Sequence, residues 1–267
     1  MSDEANEDLV RYEVQDEVAL LTLNRPEKMN AFNHAMFDRW VECLQLADAD
    51  SEVRAVVLTG AGRAFCSGGD ISEMKVGGEF TPLHMKDRLR TGLHRIPLLL
   101  ETINKPIIAA INGVATGAGL DLALMCDMRF VAASARVGET YSRIGLAPGG
   151  GGAFYLPRIV GLAKALELLW TSELLDAEEA VRIGLATRVF ADAELLAETL
   201  EFARKVAGFP PLSIQMTKRL VYQGLQTDLA THLDTASSHL PLLRMSEDHK
   251  EALAALKEKR AGSYVGR

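Results

Sequence analysis

The segment IIAAINGVATGAGLDLALMCD, residues 107–127, joins two apolar runs through a glycine-containing turn. The first run, residues 107–111, is short and fully apolar, which predicts a strand that is buried on both faces. Gly113, Gly117 and Gly119 let the backbone turn, and the apolar residues that follow predict a buried helix. A strand, a turn and a buried helix in this order are typical of an α/β fold whose strands pair mainly in parallel.

The same alternation continues on both sides of this segment. Short apolar runs predict strands at 18–23, 55–59 and 128–132, and helical periodicity predicts helices that begin at an Asn33 N-cap and near Pro82. Toward the C-terminus the strand signals fade. Helical patterns then cover residues 193–207, 211–223, 228–240 and 246–260. We therefore expect a helical region after the α/β part.

The composition excludes several classes of protein. With 267 residues, of which 48% are hydrophobic, the chain is long enough to bury a large core. Its 29 basic and 36 acidic residues give a net charge of −7 without a long block of one sign, which argues against nucleic acid as a partner. Cys43, Cys66 and Cys126 show no C-x-x-C spacing and indicate a reducing compartment. The polar N-terminus and the lack of an apolar run near ~18 residues predict a cytoplasmic protein without a membrane partner.

Common catalytic motifs do not account for the glycine turn. Gly117 and Gly119 lack the third glycine of G-x-G-x-x-G, and the sequence contains neither a P-loop nor a G-x-S-x-G elbow. The histidines have no zinc-ligand spacing, so we expect no metal and interpret them as surface or interface residues. The first-turn amides of the predicted helix could stabilise an oxyanion, but a turn that serves only tight strand–helix packing stays an equal alternative.

Several motifs follow one another along nearly the whole chain. They are LNRP at 23–26, VLTG at 57–60, FCSGGDI at 65–71, the segment 105–127, the glycine loop 145–152 and KEKR at 257–260. In this order the sequence resembles the crotonase superfamily, which includes the enoyl-CoA hydratase/isomerase family. The resemblance implies an α/β fold with a crotonase-like spiral of β-β-α units in residues 1–200 and a C-terminal helical trimerisation region in residues 201–267. It also implies an acyl-CoA thioester substrate and a homotrimer or a dimer of trimers.

The resemblance assigns an oxyanion hole to two backbone amides. These are the N–H groups of Gly69 and Ala118, which would hold the thioester carbonyl oxygen and stabilise an enolate. Members of the family typically have glycine at the position of Ala118. Because the donor is a backbone N–H, we expect the hole to be retained with alanine there.

The resemblance also implies where the CoA moiety binds. The matching positions are Lys28, Met29, Ala31, Ala64, Ser67, Asp70 and Ile71. For Lys28, a solvated loop lysine is an equal alternative. We expect no cofactor beyond the CoA moiety of the substrate. The choice of acyl group would depend on the loop at residues 73–90, which carries Met74, Phe80 and Met85.

Asp121 and Tyr141 occupy the places at which hydratases of the family carry two glutamates. Asp121 lies among apolar residues of the predicted buried helix, so we expect it to act as an acid or base or to orient the substrate. Tyr141 would be a poor base at neutral pH, but its hydroxyl can donate a hydrogen bond. Glu139 could replace the missing carboxylate if its side chain turned inward, but we expect it to lie on the surface.

These residues predict an enzyme of the enoyl-CoA hydratase/isomerase type, with hydration or double-bond migration of an enoyl-CoA as its reaction. A CoA-thioester or C–C bond hydrolase of the same superfamily is one alternative. A protein that binds acyl-CoA without turnover is another, because Ala118, Asp121 and Tyr141 all depart from the hydratase pattern.

Overall fold

A computed structural model describes residues 8–70, 72 and 81–267 of the chain. The described strands are β1 (Val10–Gln15), β2 (Val18–Leu23), β3 (Ala55–Gly60), β4 (Ala64–Cys66), β5 (Ile107–Ile111), β6 (Val114–Thr116), β7 (Met128–Ala132), β8 (Arg136–Gly138) and β9 (Arg188–Phe190). The described α-helices are α1 (His34–Ala49), α2 (Pro82–Thr91), α3 (Arg95–Leu100), α4 (Ala118–Leu124), α5 (Gly152–Val160), α6 (Leu162–Thr171), α7 (Ala177–Arg182), α8 (Leu195–Ala207), α9 (Pro211–Gly224), α10 (Leu229–Met245) and α11 (Glu247–Glu258).

The strands form two sheets. The larger sheet has the order β1-β2-β3-β5-β7-β9, and the smaller sheet has the order β4-β6-β8. Strand β1 is antiparallel to β2, whereas the other described neighbours within the two sheets are parallel. The prediction of an α/β fold with mainly parallel pairing is therefore confirmed.

The predicted strands lie at the centre of the larger sheet, where both faces are covered. Every residue of β3 and β5 is buried, as expected for fully apolar runs in a parallel sheet. Helix α8 lies against β2, β3, β5 and β7. Helix α1 begins at the predicted N-cap, because the Asn33 side chain accepts a hydrogen bond from the Met36 amide at 3.0 Å. It buries Trp40 and Leu44 in the core.

The sequence pattern does not predict the smaller sheet. Each of its strands has only three residues, which is too short for a periodic signal. The motif at 65–71 begins with the last two residues of β4. Each short strand follows a long one after a turn, so the order β3-β5-β7 is repeated as β4-β6-β8. A helix follows each of these pairs of a long and a short strand, which agrees with the predicted crotonase-like spiral of β-β-α units.

The C-terminal part of the chain is helical, as predicted, and consists of α9, α10 and α11. Helix α10 continues through Pro241 to Met245, so the prediction that it ends at Leu240 is wrong. Proline removes a backbone donor from the helix but does not end it here. The predicted division between residues 200 and 201 falls inside α8 and stays a prediction. Within the described ranges, we find no helix that is both long and apolar enough to cross a membrane.

Candidate active site

The candidate site lies where the strands of the smaller sheet end. Because β4, β6 and β8 are parallel, their carboxyl ends share one edge of the sheet, which is where α/β proteins commonly bind ligands. The segments that leave these ends are residues 67–70, 117–121 and 139–141. Residues distant in sequence therefore meet at a single edge, and four of the predicted catalytic positions are among them.

The backbone of Gly69 is oriented by a bridge to Phe32. The Phe32 amide donates to the Gly68 carbonyl at 2.9 Å, and the Asp70 amide donates to the Phe32 carbonyl at 3.1 Å. In a parallel bridge of this kind the groups of the central residue point away from the partner strand. Among the described residues the Gly69 amide has no acceptor, so its N–H is available to a ligand.

The Ala118 amide is the second donor at this edge. As the first residue of α4, Ala118 has no intrahelical acceptor for its N–H. Its nitrogen lies 3.6 Å from the position that a Cβ on Gly68 would occupy. This close approach requires Gly119, since a Cβ there would lie 2.0 Å from the Cys66 carbonyl oxygen. The packing of α4 on the end of β4 thus places the Ala118 amide beside the loop that carries Gly69.

Asp121 is fully buried one turn into α4, as the sequence predicts. Its Oδ2 accepts a hydrogen bond from the Tyr141 hydroxyl at 2.5 Å and another from the Gly150 amide at 2.9 Å. Burial raises the pKa of Asp121, and the hydrogen bond from Tyr141 opposes that increase. Burial also raises the pKa of Tyr141, with the neighbouring Asp121 adding to the effect, so the phenol is a neutral donor.

Glu139 is buried beside Asp121, with 1% of its surface exposed, so the expectation of a surface glutamate is wrong. Among the described residues, neither carboxyl oxygen of Glu139 has a hydrogen-bond donor. Burial, and then the charge of Asp121, raise the pKa of Glu139 to about 10. The missed signal is strand alternation. Glu139 comes two residues after the buried Val137 and so shares its face, but β8 is too short to be predicted.

The glycine loop before α5 makes room for the two carboxyl groups. A Cβ on Gly152 would lie 2.1 Å from Asp121 Oδ1 and 2.6 Å from Glu139 Oε1, and a Cβ on Gly150 would lie 2.5 Å from Asp121 Oδ2. Side chains at these two positions would therefore collide with the acids. The Gly150 amide can therefore donate to Asp121 Oδ2 at a distance that a side chain at position 150 would not permit.

His94 supports this loop, although the sequence predicts no role for it in the site. Its Nε2 lies 2.8 Å from the carbonyl oxygen of Gly149, next to the Gly150 amide that contacts Asp121. No sequence signal connects two residues so far apart. Among the described residues, no group of three or more His, Cys, Asp or Glu side chains is placed to hold a metal ion.

The turn after β2 lies against the segment that follows β4, which brings predicted CoA positions together. The Ser67 amide donates to the Met29 carbonyl at 3.0 Å, and the Ser67 hydroxyl lies 3.5 Å from the Lys28 carbonyl oxygen. The Lys28 residue is exposed. The Arg25 guanidinium donates to the Ala31 carbonyl and so holds the end of the turn.

Asp70 has a carboxylate that is already occupied by protein partners. It pairs with Arg25 at 3.0 Å and accepts a hydrogen bond from the Ser72 hydroxyl at 2.5 Å. The hydrogen bonds from Ser72 and Arg25 hold the pKa of Asp70 at about 2. The side chain of Asp70 thus fastens the loop that carries Gly69.

The other predicted binding positions differ in their exposure. Ala64 is fully buried, and its carbonyl oxygen accepts a hydrogen bond from the Asn30 side chain at 2.7 Å. Ile71, a predicted CoA position, lies outside the described residues. So do residues 73–80, which belong to the loop that was expected to influence acyl preference. Met85 in α2 is 45% exposed.

Comparison with known proteins connects this site to one family. Residues 13–267 match the family described as enoyl-CoA hydratase/isomerase. A short-chain-enoyl-CoA hydratase from Clostridium acetobutylicum is 36% identical over 251 residues, which cover 93% of this chain and 94% of that protein. A 1,2-epoxyphenylacetyl-CoA isomerase from Escherichia coli is 35% identical over 258 residues, which cover 95% of this chain and 97% of that protein.

A solved structure agrees with the sequence comparisons. The crystal structure of an enoyl-CoA hydratase from Bacillus anthracis superposes with a TM-score of 0.92 at 31% identity, covering 97% of this chain and 100% of that one. The similarity therefore extends over both the α/β part and the C-terminal helices.

Proposed function

The chain belongs to the enoyl-CoA hydratase/isomerase family of the crotonase superfamily, and from that premise we propose that it converts an enoyl-CoA at the carboxyl edge of β4, β6 and β8. It is an enzyme of the hydratase/isomerase type. The observation that carries the proposal is the meeting of two amides, which have no acceptor among the described residues, and a buried aspartate at one sheet edge. No cofactor beyond the CoA moiety of the substrate enters the proposed reaction.

The amides of Gly69 and Ala118 are proposed to form the oxyanion hole. Both would donate to the thioester carbonyl oxygen, whose negative charge increases as the enolate forms. The proposal is supported by the position of the Ala118 nitrogen, 3.6 Å from the place of a Cβ on Gly68. Removal of one such donor typically costs ~2.7–4 kcal/mol of barrier stabilisation.

Asp121 is proposed to transfer the proton, with Tyr141 as its positioning partner. In hydration, Asp121 would take a proton from water as the oxygen attacks the β-carbon, and the same proton would then reach the α-carbon of the enolate. In double-bond migration, Asp121 would remove a proton from one carbon and return it to another. Tyr141 stays protonated in both cases, because its hydroxyl donates to Asp121 Oδ2.

The CoA moiety is proposed to lie along the turn after β2 and the segment after β4. The positions are Lys28, Met29, Ala31, Ala64, Ser67, Asp70 and Ile71. The hydrogen bond from the Ser67 amide to the Met29 carbonyl supports this placement, because it joins the two segments into one surface. Since the carboxylate of Asp70 and the side chain of Ala64 are occupied or buried, their contributions would come from the backbone.

A homotrimer or a dimer of trimers is proposed as the assembly. The C-terminal helices leave large apolar side chains exposed, including Leu229 at 71%, Met245 at 79% and Leu256 at 77%. Exposed apolar surface of this kind marks a protein–protein contact. A cytoplasmic location stays a prediction.

The test is incubation of the purified protein with 2-enoyl-, 3-enoyl- and dienoyl-CoA thioesters in deuterated water, with products followed by mass spectrometry. Gain of water identifies a hydratase, and deuteration or bond migration without added water identifies an isomerase. Release of free CoA would favour the hydrolase alternative instead. Binding without any product across the panel would contradict the proposed reaction.

A further inference from the structure

The buried pair of Asp121 and Glu139 has more acceptor atoms than donors. Three of its four carboxyl oxygens, Asp121 Oδ1 and both oxygens of Glu139, have no hydrogen-bond donor among the described residues. Both residues are buried, at 0% and 1% exposure. Buried acceptors without donors are costly, and such atoms in native proteins require an explanation. Two ionised carboxylates here would leave all three atoms unsatisfied.

The two carboxyl groups border the same small space. The position of a Cβ on Gly152 lies 2.1 Å from Asp121 Oδ1 and 2.6 Å from Glu139 Oε1, so the two unpartnered oxygens approach each other there. Two carboxylates that share a buried site do not both ionise, because their charges repel each other in a medium of low dielectric constant. A proton on one of them removes that repulsion and supplies the missing donor.

The surroundings decide which carboxyl group holds the proton. Asp121 Oδ2 accepts from the Tyr141 hydroxyl and from the Gly150 amide, and both hydrogen bonds favour its ionised form. Glu139 has no such donors among the described residues. Asp121, from α4, is the titratable group that raises the pKa of Glu139, and the charge of Glu139 in turn raises the pKa of Tyr141, from the segment after β8. The proton therefore belongs to Glu139, and burial followed by the charge of Asp121 accordingly raises the pKa of Glu139 to about 10.

We propose that Glu139 is a positioning residue, a neutral carboxylic acid that donates a hydrogen bond to Asp121 Oδ1 and keeps the Asp121 carboxylate ionised and oriented. The inference rests on the proposed function, in which Asp121 transfers the proton. Asp121 would then accept on both oxygens, from Glu139 on one side and from Tyr141 and Gly150 on the other. The second carboxyl group of this site comes from position 139 rather than from position 141.

Two variants separate hydrogen bonding from side-chain volume. Glu139→Gln keeps an N–H that can donate to Asp121 Oδ1, whereas Glu139→Met has a similar length but no donor. For turnover of the substrate found in the thioester panel, we expect the acidic limb of the pH profile of kcat/KM in Glu139→Gln to stay near that of the wild type. In Glu139→Met that limb should move to higher pH by at least about one unit, because loss of a hydrogen bond to a charged group destabilises the ionised Asp121. Superimposable profiles for the two variants would overturn the positioning role.

Infrared difference spectroscopy of the full-length protein tests the proton without any need for turnover. At neutral pH the wild type minus Glu139→Gln spectrum should contain the carbonyl stretch of a protonated carboxyl group, shifted in deuterated water. Its absence, with both proteins folded by circular dichroism, would overturn the inference even if the enzyme is active. A wild-type protein that shows the band but turns over no thioester would support the proton on Glu139 and contradict only the proposed function.

Discussion

The edge of the smaller sheet has polar atoms without partners among the described residues, whereas the C-terminal helices have large apolar side chains that are exposed. At the edge, apolar packing is dense, but the amides of Gly69 and Ala118 and the oxygens of Glu139 lack partners among the described residues. In helices α10 and α11, Asp228 and Ser246 cap the N-termini through side-chain hydrogen bonds, while large apolar side chains stay exposed. Unpartnered polar atoms fit a ligand or a proton, and exposed apolar surface fits another protein surface. The nature of the unsatisfied groups thus indicates what each region binds.

The largest effect is expected from Asp121→Asn, which keeps the shape of the side chain at position 121 but removes its negative charge. We expect kcat to fall by ~10²–10⁴-fold, as is typical when a general acid or base is lost. The measurement is steady-state turnover of the substrate identified in the thioester panel. Unchanged affinity for an unreactive acyl-CoA serves as the control, and turnover near the wild-type rate would remove Asp121 from the mechanism.

Tyr141→Phe tests the hydrogen bond to Asp121 Oδ2. Loss of a hydrogen bond to a charged group costs ~1.5–3 kcal/mol, so we expect kcat/KM to fall by about 10- to 100-fold at the pH optimum. The pKa of Asp121 should rise, which moves the acidic limb of the pH profile to higher pH. Tyr155→Phe is the matched control, because it removes a half-buried phenol from α5 rather than the donor to Asp121. Equal profiles for the two variants would contradict the assigned role of Tyr141.

Gly152→Ala tests whether the space for the two carboxyl groups is obligatory. The added Cβ would lie 2.1 Å from Asp121 Oδ1, and overpacking of this kind costs ~1–3 kcal/mol of unfolding free energy. Gly149→Ala is the control, since a Cβ there meets nothing within 4 Å. Urea denaturation and kcat should both change only in the first variant. Equal stability of the two proteins would show that the carboxyl groups move aside at little cost.

The neutral form of Glu139 also predicts how stability depends on pH. The pKa of this side chain rises from 4.5 to about 10 on folding, so between these values the folded state holds a proton that the unfolded chain releases. The unfolding free energy of the wild type should therefore fall as pH rises through this range, relative to Glu139→Gln, by at most ~1.4 kcal/mol per pH unit. Denaturation of both proteins at several pH values measures the difference. Parallel curves would mean that Glu139 is ionised in the folded protein.

The smallest effect on the stability of each folded subunit is expected from substitutions on the exposed apolar surface of α10. Leu233 and Leu240, 56% and 59% exposed, lie seven residues apart and so share one face of the helix. Replacing both with lysine should reduce the assembly to smaller species in sedimentation velocity, while the stability of the subunit changes by only ~0.5 kcal/mol. Leu46→Lys, at an exposed leucine of α1, is the control and should leave the assembly intact. An unchanged mass for the double variant would place the interface elsewhere.

Much of the fold can be predicted because the sequence patterns that indicate its strands and helices involve neighbouring residues. Strands β2, β3, β5 and β7 are apolar runs, and Asn33 caps α1 through a neighbour three residues away. The resemblance to the family then predicted Gly69, Ala118, Asp121 and Tyr141 as site residues, and the structure brings their segments to one edge. Strands of three residues have no periodicity to detect, so β8 was missed, and the expectation of a surface Glu139 was wrong for the same reason.

By itself, the sequence determined the fold class, the helical C-terminal region and the family, because periodicity, capping and ordered motifs are all properties of neighbouring residues. Only the tertiary structure decided that the Ala118 amide approaches the Gly68–Gly69 loop and that Glu139 turns toward Asp121. Those contacts depend on which strands share an edge and on the space that Gly119 and Gly152 leave open. Long-range packing sets such distances, and no local pattern encodes them.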